Sequence, residues 1–436
     1  MTNPSPAPKR DPLDRLLSLF STVQSGEGVS AVLLALNIFI LLALYYVLRT
    51  IREPLILNTP GGAEIKSYSS AGQAALFLLV VPLYGAFASR VNRLRLISWV
   101  TLFFILNLLI FAQFGSAGFA IGVPYYIWLG VFNMLMVAQF WGFANDLYSE
   151  EQGKRLFPIV GVGASLGAWI GALIAKYVYR PVGPFRLMVA CAAALGLCIL
   201  LTLWIHRREA GRAAAAKAKE ASQPLEKRGG FQLILKSRYL LYVAILVFLL
   251  NWVNTLGGYL LDTFLTVTKD ALPAAERGPF LGEFYGDYLS KINLLGFLFQ
   301  TFLVSRLFKW IGVRGALFIL PCIALGGYSI LAVLPLVGIV KVAKILENST
   351  DYSINNTVRH ALYLPTAREA KYKAKAATDT FFVRSGDLMQ AGVVYVGTSL
   401  GFSIANFAVV NIVLVVAWLG FAVLIYREHK RLTTIA

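Results

Sequence analysis

The chain has 436 residues, of which 58% are hydrophobic and 14% are charged. Because soluble domains typically carry about 25% charged residues, this composition excludes a water-soluble fold. Apolar runs of about 20 residues, the length that one helix needs to cross a bilayer, recur along the whole chain. The net charge of +18 does not indicate a nucleic-acid partner, since the lysines and arginines cluster in short connections between the apolar runs.

Residues 1–29 are expected to form a cytoplasmic N-terminal segment without a cleavable signal. The first apolar run, from about Ser30 to Leu48, is too long for the apolar region of a signal peptide. Asp11 and Pro12 predict a helix start within the segment. Apolar residues then recur at helical spacing: Leu13, Leu16, Leu17 and Phe20. We therefore expect a short amphipathic helix on the membrane surface.

The first transmembrane helix ends in a charged stretch before Pro54, which is expected to break the helix. Arg49 and Glu53 are i, i+4 neighbours, and Arg52 lies beside them. Because a guanidinium group recognises anions through two parallel hydrogen bonds, we expect all three residues in a substrate-binding site. For Arg49 alone, an arginine that extends to lipid headgroups stays open as the alternative.

Twelve apolar runs predict an all-α membrane protein of about twelve transmembrane helices in two halves of six. The N-terminal half spans residues 30–205 and the C-terminal half spans residues 239–426. A basic linker, residues 206–238, joins them, and residues 427–436 form a tail. Because basic residues concentrate in the linker, the tail and alternate connections, the positive-inside rule predicts that both termini lie on the cytoplasmic side of the membrane.

A short basic motif recurs in the two halves. Ser89-Arg90 follows the second predicted helix, and Ser305-Arg306 follows the eighth. The motif resembles the basic loop of the major facilitator superfamily, with Ser89 and Asn92 where that family usually has an acid and a glycine. The resemblance implies two parallel six-helix repeats around a central cavity.

The tenth predicted helix carries six polar residues spaced three or four apart, so that they share one narrow stripe. They are Lys341, Lys344, Asn348, Asp351, Asn355 and Arg359. A charge at the bilayer centre costs at least about 2.5–3.5 kcal/mol, so several charges on one face require water or protein beside them. The stripe therefore predicts an anion-binding face of a cavity. Closed ion pairs, Lys344 with Asp351 or Lys341 with Glu347, stay open as the alternative.

Seven further polar residues in or beside predicted helices are candidates for ion coupling or gating. They are Asp146, Asn251, Asp262, Asp287, Lys291, Arg384 and Asp387. Their acids would either couple transport to an ion gradient or neutralise neighbouring cations, and the sequence leaves both interpretations open.

Other classes of protein have little support in the sequence. The three cysteines lie inside apolar runs and there are only three histidines, so neither a disulfide framework nor a metal site is indicated. Gly163, Gly167 and Gly171 form a GxxxGxxxG face that predicts close helix packing. Because there is no phosphate-binding P-loop or catalytic triad pattern, we expect neither an enzyme nor an ATP-driven pump, and no cofactor.

Two long segments resemble the signatures of the ATP:ADP antiporter family of nucleotide translocases. Residues 140–168 read FWGFANDLYSEEQGKRLFPIVGVGASLGA, and residues 352–379 read YSINNTVRHALYLPTAREAKYKAKAATD. The resemblance implies nucleotide exchange by alternating access in a major-facilitator-like fold, with basic residues gripping phosphates. It places Arg52 and Glu53 at the family's first-helix Lys-Asp pair and Arg359 at the basic position of the tenth-helix motif, whose acids and proline are absent here.

The leading hypothesis is a secondary active transporter of nucleotides, by ATP/ADP-type exchange or uptake, or of a related phosphorylated anion. The expected partners are a small anionic substrate and the lipid bilayer, and the expected oligomeric state is a monomer. The alternative is a proton-coupled major-facilitator transporter of a non-nucleotide metabolite or drug, with Asp262, Asp287 or Asp387 as proton carriers. A third is a non-transporting membrane receptor or assembly protein.

Overall fold

The computed structural model describes residues 12–18, 23–24, 26–88, 90–216, 230–366 and 370–435. Within these ranges the regular structure is helical. The first part of the chain forms α1 (Pro12–Leu17), α2 (Gly28–Leu57), α3 (Gly62–Ala88), α4 (Arg93–Ser116), α5 (Gly122–Leu147), α6 (Glu150–Val182) and α7 (Pro184–Ala216). The remainder forms α8 (Gly230–Lys236), α9 (Arg238–Asp270), α10 (Ala274–Leu298), α11 (Val304–Ala316), α12 (Ile319–Val333), α13 (Val337–Thr350), α14 (Asn356–Leu362), α15 (Lys375–Ala377), α16 (Val383–Ser399) and α17 (Ile404–Ile435).

Some sequence-based predictions fall outside the described residues. Asp11, Phe20 and Ser89 lie there, and so do residues 217–229 of the predicted linker. The described ends of the linker are helical, because α7 continues to Ala216 and α8 precedes α9.

Within the described ranges, nine helices are long and apolar enough to cross a membrane. Helix α12 is a shorter apolar helix of 15 residues. The prediction of an all-α membrane protein is therefore confirmed. The segment from α13 to α14 is not among the nine, since charged residues interrupt its apolar run and a π turn divides it.

Helix α2 continues through Pro54 to Leu57, so the predicted break at Pro54 is wrong. Proline removes one backbone hydrogen bond, but membrane-spanning helices tolerate it where nearby groups satisfy the freed carbonyl. The continuation adds Leu55, Ile56 and Leu57 to the helix that carries Arg49, Arg52 and Glu53.

Within residues 230–366 and 370–435, four π turns interrupt the helices, and one of them lies within the polar stripe. They are Phe299–Leu303, Asp351–Asn355, Ala370–Ala374 and Thr378–Phe382. A π turn holds one extra residue, so the residues after it rotate by about 100° from the uniform α-helical register. Arg359 follows the turn at Asp351–Asn355 and therefore does not continue the stripe of the residues before it.

The described helices form two compact units. The first contains residues up to Ile51, Val81–Ile121 and Trp128–Ser222. The second contains Arg52–Val80, Gly122–Ile127 and the chain from Gln223 onward. Helices α2, α3 and α5 therefore each contribute to both units.

A face of glycines on α6 allows this helix to pack closely against α2 in the first unit. Methyl groups built on Gly163, Gly167 and Gly171 would lie 2.4, 2.3 and 2.2 Å from the carbonyl oxygens of α2 that they face, those of Ala35, Phe39 and Ala43. Only glycine permits this approach, so the packing role predicted from the GxxxGxxxG pattern is confirmed.

An ion pair holds the start of α2 against the start of α6. Glu27 accepts hydrogen bonds from Arg155 at 2.9 and 3.1 Å and from Gln152 at 3.1 Å. Burial raises the pKa of Glu27, but the hydrogen bonds from Arg155, from the backbone of Gln24 and from Gln152 outweigh burial and lower that pKa below its ordinary value. The folded state therefore favours the ionised carboxylate.

In the second unit, α9 occupies the centre and contacts α10, α13, α16 and α17. Its buried residues extend along most of its length, from Tyr239 to Lys269. Because α9 is surrounded, polar residues on any of its faces have protein partners within reach.

Replacement of Gly167 by Ala tests the glycine face. The added methyl would force α2 and α6 apart, and we expect the free energy of unfolding to fall by about 1–3 kcal/mol. Gly161→Ala is the matched control, because a methyl group there meets no atom within 4 Å. Thermal unfolding in detergent measures both variants, and equal unfolding temperatures would contradict the packing role.

Replacement of Glu27 by Gln tests the ion pair. Since the folded pKa of Glu27 lies below the unfolded value, its stabilisation is present above the ordinary glutamate pKa and is lost as pH falls through the folded pKa. We expect Glu27→Gln to lower the unfolding temperature at pH 7, and the gap from the native protein to shrink towards pH 4. Glu151→Gln, an exposed carboxylate one turn before Arg155, is the control. A gap that stays constant with pH would contradict this account.

Candidate functional site

A buried charge network joins α2, α3 and α9 in the second unit. Glu53 accepts a hydrogen bond from Arg52 Nε at 3.0 Å, and Lys66 Nζ lies 2.6 Å from its other carboxylate oxygen. Lys66 Nζ also lies 2.8 Å from the carboxylate of Asp262. The Glu53 and Asp262 side chains are only 3% and 5% exposed, against 13% for Arg52 and 15% for Lys66. Two cations and two carboxylates therefore neutralise one another in a buried setting.

Aromatic side chains enclose this network. The guanidinium carbon of Arg52 lies 4.4 Å from the centre of the Tyr126 ring, at the start of α5. Tyr285 of α10 donates a hydrogen bond to Asp262, and its ring centre lies 5.3 Å from Lys66 Nζ. Cation–π contacts stabilise a desolvated cation more than an exposed one, so the rings stabilise both cations in their buried positions.

Sequence reasoning found Arg52, Glu53 and Asp262 but missed Lys66 and Tyr285. The second apolar run begins near Ala71, so the sequence predicts a connection, not a helix, for the polar residues just before it. In the structure α3 begins at Gly62 and includes Lys66. The available signal was the stretch after Gly62, which continues for nine residues without a proline or a second glycine.

A second cluster brings together three of the predicted residues. Lys291 and Lys341 both bind one carboxylate oxygen of Asp287, at 2.8 and 2.9 Å. The Phe284 ring centre lies 4.3 Å from Lys341 Nζ. Lys291 is 54% exposed, and two ammonium groups share one carboxylate. The cluster therefore presents an accessible positive charge that attracts anions.

Lys344 makes a different, fully enclosed arrangement. Its Nζ lies 3.1 Å from Glu347 and donates to the carbonyl and side-chain oxygens of Asn254 at 3.0 and 2.6 Å. Tyr328 donates to Glu347 at 2.7 Å, and a methyl group on Gly257 would lie 1.8 Å from the Tyr328 hydroxyl. Lys344 thus belongs to a closed ion pair, with a partner other than the Asp351 named from the sequence. Its role in substrate binding stays a prediction.

Asn348, Asp351 and Asn355 of the polar stripe also have protein partners. Asn348 donates to the Tyr288 hydroxyl at 2.8 Å, and Asp351 accepts from Asn355 at 2.7 Å. Arg359 is half-buried, and its Nε has no hydrogen-bond partner.

The remaining predicted residues occupy three separate places. Asp387 accepts from Asn251 at 2.9 Å and pairs with Arg384 at 3.2 Å, in the second unit. Asp146 pairs with Arg93 at 2.8 Å on the exposed surface of the first unit. Arg49 also lies in the first unit, with its guanidinium 5.6 Å from the Tyr46 ring centre.

Replacement of Lys344 by Met tests whether this lysine is structural. Glu347 would be left buried without its cation, and we expect the free energy of unfolding to fall by about 3–5 kcal/mol. Adding Glu347→Gln removes the stranded charge, so the double variant should recover much of the loss. Thermal unfolding of both variants measures this. An unchanged unfolding temperature in Lys344→Met would contradict the closed pair.

Comparison with known proteins identifies the family. Residues 123–257 and 306–429 match the family of the TLC ATP/ADP transporter, and these ranges contain both signature segments. The ADP,ATP carrier protein 1 of Chlamydia trachomatis is 25% identical, over 94% of this chain and 90% of that protein. The chloroplastic ADP,ATP carrier protein 2 of Arabidopsis thaliana is 23% identical, over 66% of this chain and 52% of that protein.

Solved structures of transporters share the fold. The nucleoside transporter NupG superimposes with a TM-score of 0.63 at 14% identity, over 93% of this chain and 99% of that chain. A POT family transporter in complex with a thioalcohol conjugated peptide gives a TM-score of 0.64 at 15% identity, over 92% of this chain and 96% of that chain. At this identity the likeness concerns the fold alone. Since the family match covers more than half of the sequence, the chain belongs to the TLC ATP/ADP transporter family.

Proposed function

We propose that this chain is a bacterial inner-membrane exchanger of nucleotides of the ATP and ADP type. Membership of the family makes it a transporter and not an enzyme. The observation that carries the substrate class is the match with carrier proteins named for ADP and ATP over 94% of this chain. The buried cations of the second unit supply the chemistry that phosphate groups require.

The proposed architecture has twelve membrane-spanning segments in a major-facilitator-like arrangement of two halves, residues 30–205 and 239–426. Helices α2 to α7 supply six segments. The other six are α9, α10 with α11, α12, α13 with α14, α15 with α16, and α17. The fold shared with solved transporters supports this arrangement. We further propose cytoplasmic termini, from the distribution of basic residues, and a monomer.

Arg52 is the proposed primary contact of a substrate phosphate. It lies against Tyr126 and donates to a carboxylate, Glu53. A carboxylate and a phosphate offer a guanidinium group similar pairs of negatively charged oxygens. Glu53 therefore holds Arg52 in a geometry that an incoming phosphate can take over. The Arg52 site is charged and aromatic, as a site for a nucleotide phosphate requires.

The Asp287 cluster is the proposed second contact. Its two lysines exceed the charge of their shared carboxylate, and Lys291 is accessible to solvent. Such a surplus concentrates anions near the protein and loses strength as salt screens it. A polyphosphate chain would satisfy both lysines. Arg359, with its unpartnered Nε, is the proposed third cation.

Proton-coupled transport of a different solute is the second candidate function. The observation that favours it is the burial of two carboxyl side chains, Asp262 and Asp387. Burial disfavours the ionised form of a carboxyl group. A conformational change that alters its burial can therefore be linked to binding or release of a proton. Under this alternative, an uncoupler abolishes transport and unlabelled nucleotide does not compete with the solute.

Exchange by purified protein in liposomes tests the proposal. Vesicles loaded with ADP should accumulate labelled ATP, and Arg52→Gln should raise the KM for ATP at least about tenfold, since a charge-assisted hydrogen bond worth about 1.5–3 kcal/mol is lost. Arg52→Lys keeps the charge and carries the residue that the family pattern has there, so it should retain most of the exchange.

Arg186→Gln, an exposed arginine at the start of α7, is the control and should match the native protein. Absence of ATP uptake by the native protein would refute nucleotide exchange. Uptake that Arg52→Gln leaves unchanged would refute the site.

A further inference from the structure

Lys66 connects the tips of two helical hairpins, and both tips lie within the second unit. The α2–α3 hairpin turns at residues 58–61, and the α9–α10 hairpin turns at residues 271–273. In the proposed twelve-helix arrangement, these hairpins are the first two helices of each half. Lys66 on α3 pairs with Glu53 of its own hairpin at 2.6 Å and with Asp262 of the other at 2.8 Å.

Neighbouring polar contacts connect the first turns of α3 to the C-terminal half. Gln390 of α16 donates to the Ser67 hydroxyl at 2.9 Å. Tyr259 of α9 donates to Glu64 at 3.2 Å. Three residues within one turn of α3, namely Glu64, Lys66 and Ser67, thus contact helices of the C-terminal half. The contact of Lys66 is an ion pair.

Lys66 and Arg52 share the carboxylate of Glu53, so the state of one cation affects the other. Glu53 is almost fully buried and therefore needs a cation at all times. If a substrate phosphate takes Arg52, Glu53 keeps only Lys66. The phosphate also brings negative charge that competes with Asp262 for the Lys66 ammonium group.

We propose that Lys66 is a positioning residue that links occupancy of Arg52 to separation of the two hairpins. This inference rests on the proposed nucleotide exchange. Without substrate, separation of Lys66 from Asp262 removes one of the two carboxylates that neutralise Lys66 and Arg52, so the hairpins stay together. With substrate, the phosphate supplies the negative charge that leaves with Asp262, whose carboxylate keeps its hydrogen bond from Tyr285 of the same hairpin. The transporter therefore reorients readily only when loaded, which is the condition for exchange rather than leak.

The first experiment measures hairpin separation without any substrate. Ala63, buried near the start of α3, is replaced by Cys in a background without the native cysteines. Lys66→Met in this background should raise the rate of Ala63→Cys labelling by a membrane-impermeant maleimide at least about tenfold, because loss of a buried ion pair of this kind costs several kcal/mol. An unchanged rate would overturn the proposal.

Two variants make this experiment specific. Lys269→Met is the matched control, since Lys269 is a buried lysine of α9 whose partner, Asp270, is the next residue of the same helix. It should leave the labelling rate unchanged. Asp262→Asn should raise labelling as Lys66→Met does, and the double variant should add nothing further. Additive effects would show that Lys66 and Asp262 act separately, and would overturn the proposal that their ion pair holds the two hairpins together.

The second experiment measures coupling in liposomes loaded with labelled ADP. External ATP should accelerate efflux from the native protein at least about tenfold, whereas in Lys66→Met efflux without external ATP should approach the exchange rate. Lys66→Arg keeps the charge and should keep the acceleration, which covers the case in which Lys66→Met does not fold. An acceleration by ATP that is equal in the native protein and folded Lys66→Met would overturn the proposal.

The two experiments separate this inference from the proposed function. If the native protein moves no nucleotide, nucleotide exchange fails, and the labelling of Ala63→Cys still decides whether Lys66 holds the hairpins. If nucleotide exchange succeeds, while Lys66→Met changes neither the labelling rate of Ala63→Cys nor the acceleration of ADP efflux by ATP, only the proposed role of Lys66 fails.

Discussion

A charged side chain buried inside a membrane-spanning bundle must have a partner, because neither lipid nor apolar side chains satisfy it there. The second unit of this protein is organised by that requirement. Glu53 and Asp262 are enclosed by Lys66 and Arg52, and Glu347 is enclosed by Lys344. The helices that carry these residues are held in register by pairs that are costly to break. Close packing of glycines performs the corresponding task in the first unit.

The enclosed pairs differ in what they are able to do. Lys344 and Glu347 lie one turn apart on α13, and Asn254 and Tyr328 satisfy their remaining hydrogen-bonding groups. Such a pair stabilises one conformation. The Lys66 network instead joins different hairpins, and its cations retain some exposure. In the proposed mechanism a charged substrate replaces one of these partners, which fits a transporter that changes conformation when loaded.

The sequence predicts features that produce a local, periodic pattern, and it does not predict contacts between distant parts of the chain. Apolar runs identified the membrane helices, and glycine spacing identified the face of α6, because both patterns are local. Lys66 was missed because a polar helix start resembles a connection, and only its partner on α9 shows that it is buried. Arg359 was assigned to a uniform stripe, but the π turn at Asp351–Asn355 changes the register after it. The sequence suggested Asp351 as the partner of Lys344. The pair forms instead with Glu347, which lies only three residues away on the same helix and is therefore easily reached.

In the proposed exchange, the phosphate of the nucleotide replaces Glu53 as the partner of Arg52. A structure determined by electron cryomicroscopy with ADP bound, in lipid nanodiscs, would show this replacement. We expect a phosphate oxygen about 3 Å from the Arg52 guanidinium, with the Arg52–Glu53 hydrogen bonds broken. A nucleotide whose phosphates lie elsewhere while Arg52 remains bound to Glu53 would contradict it.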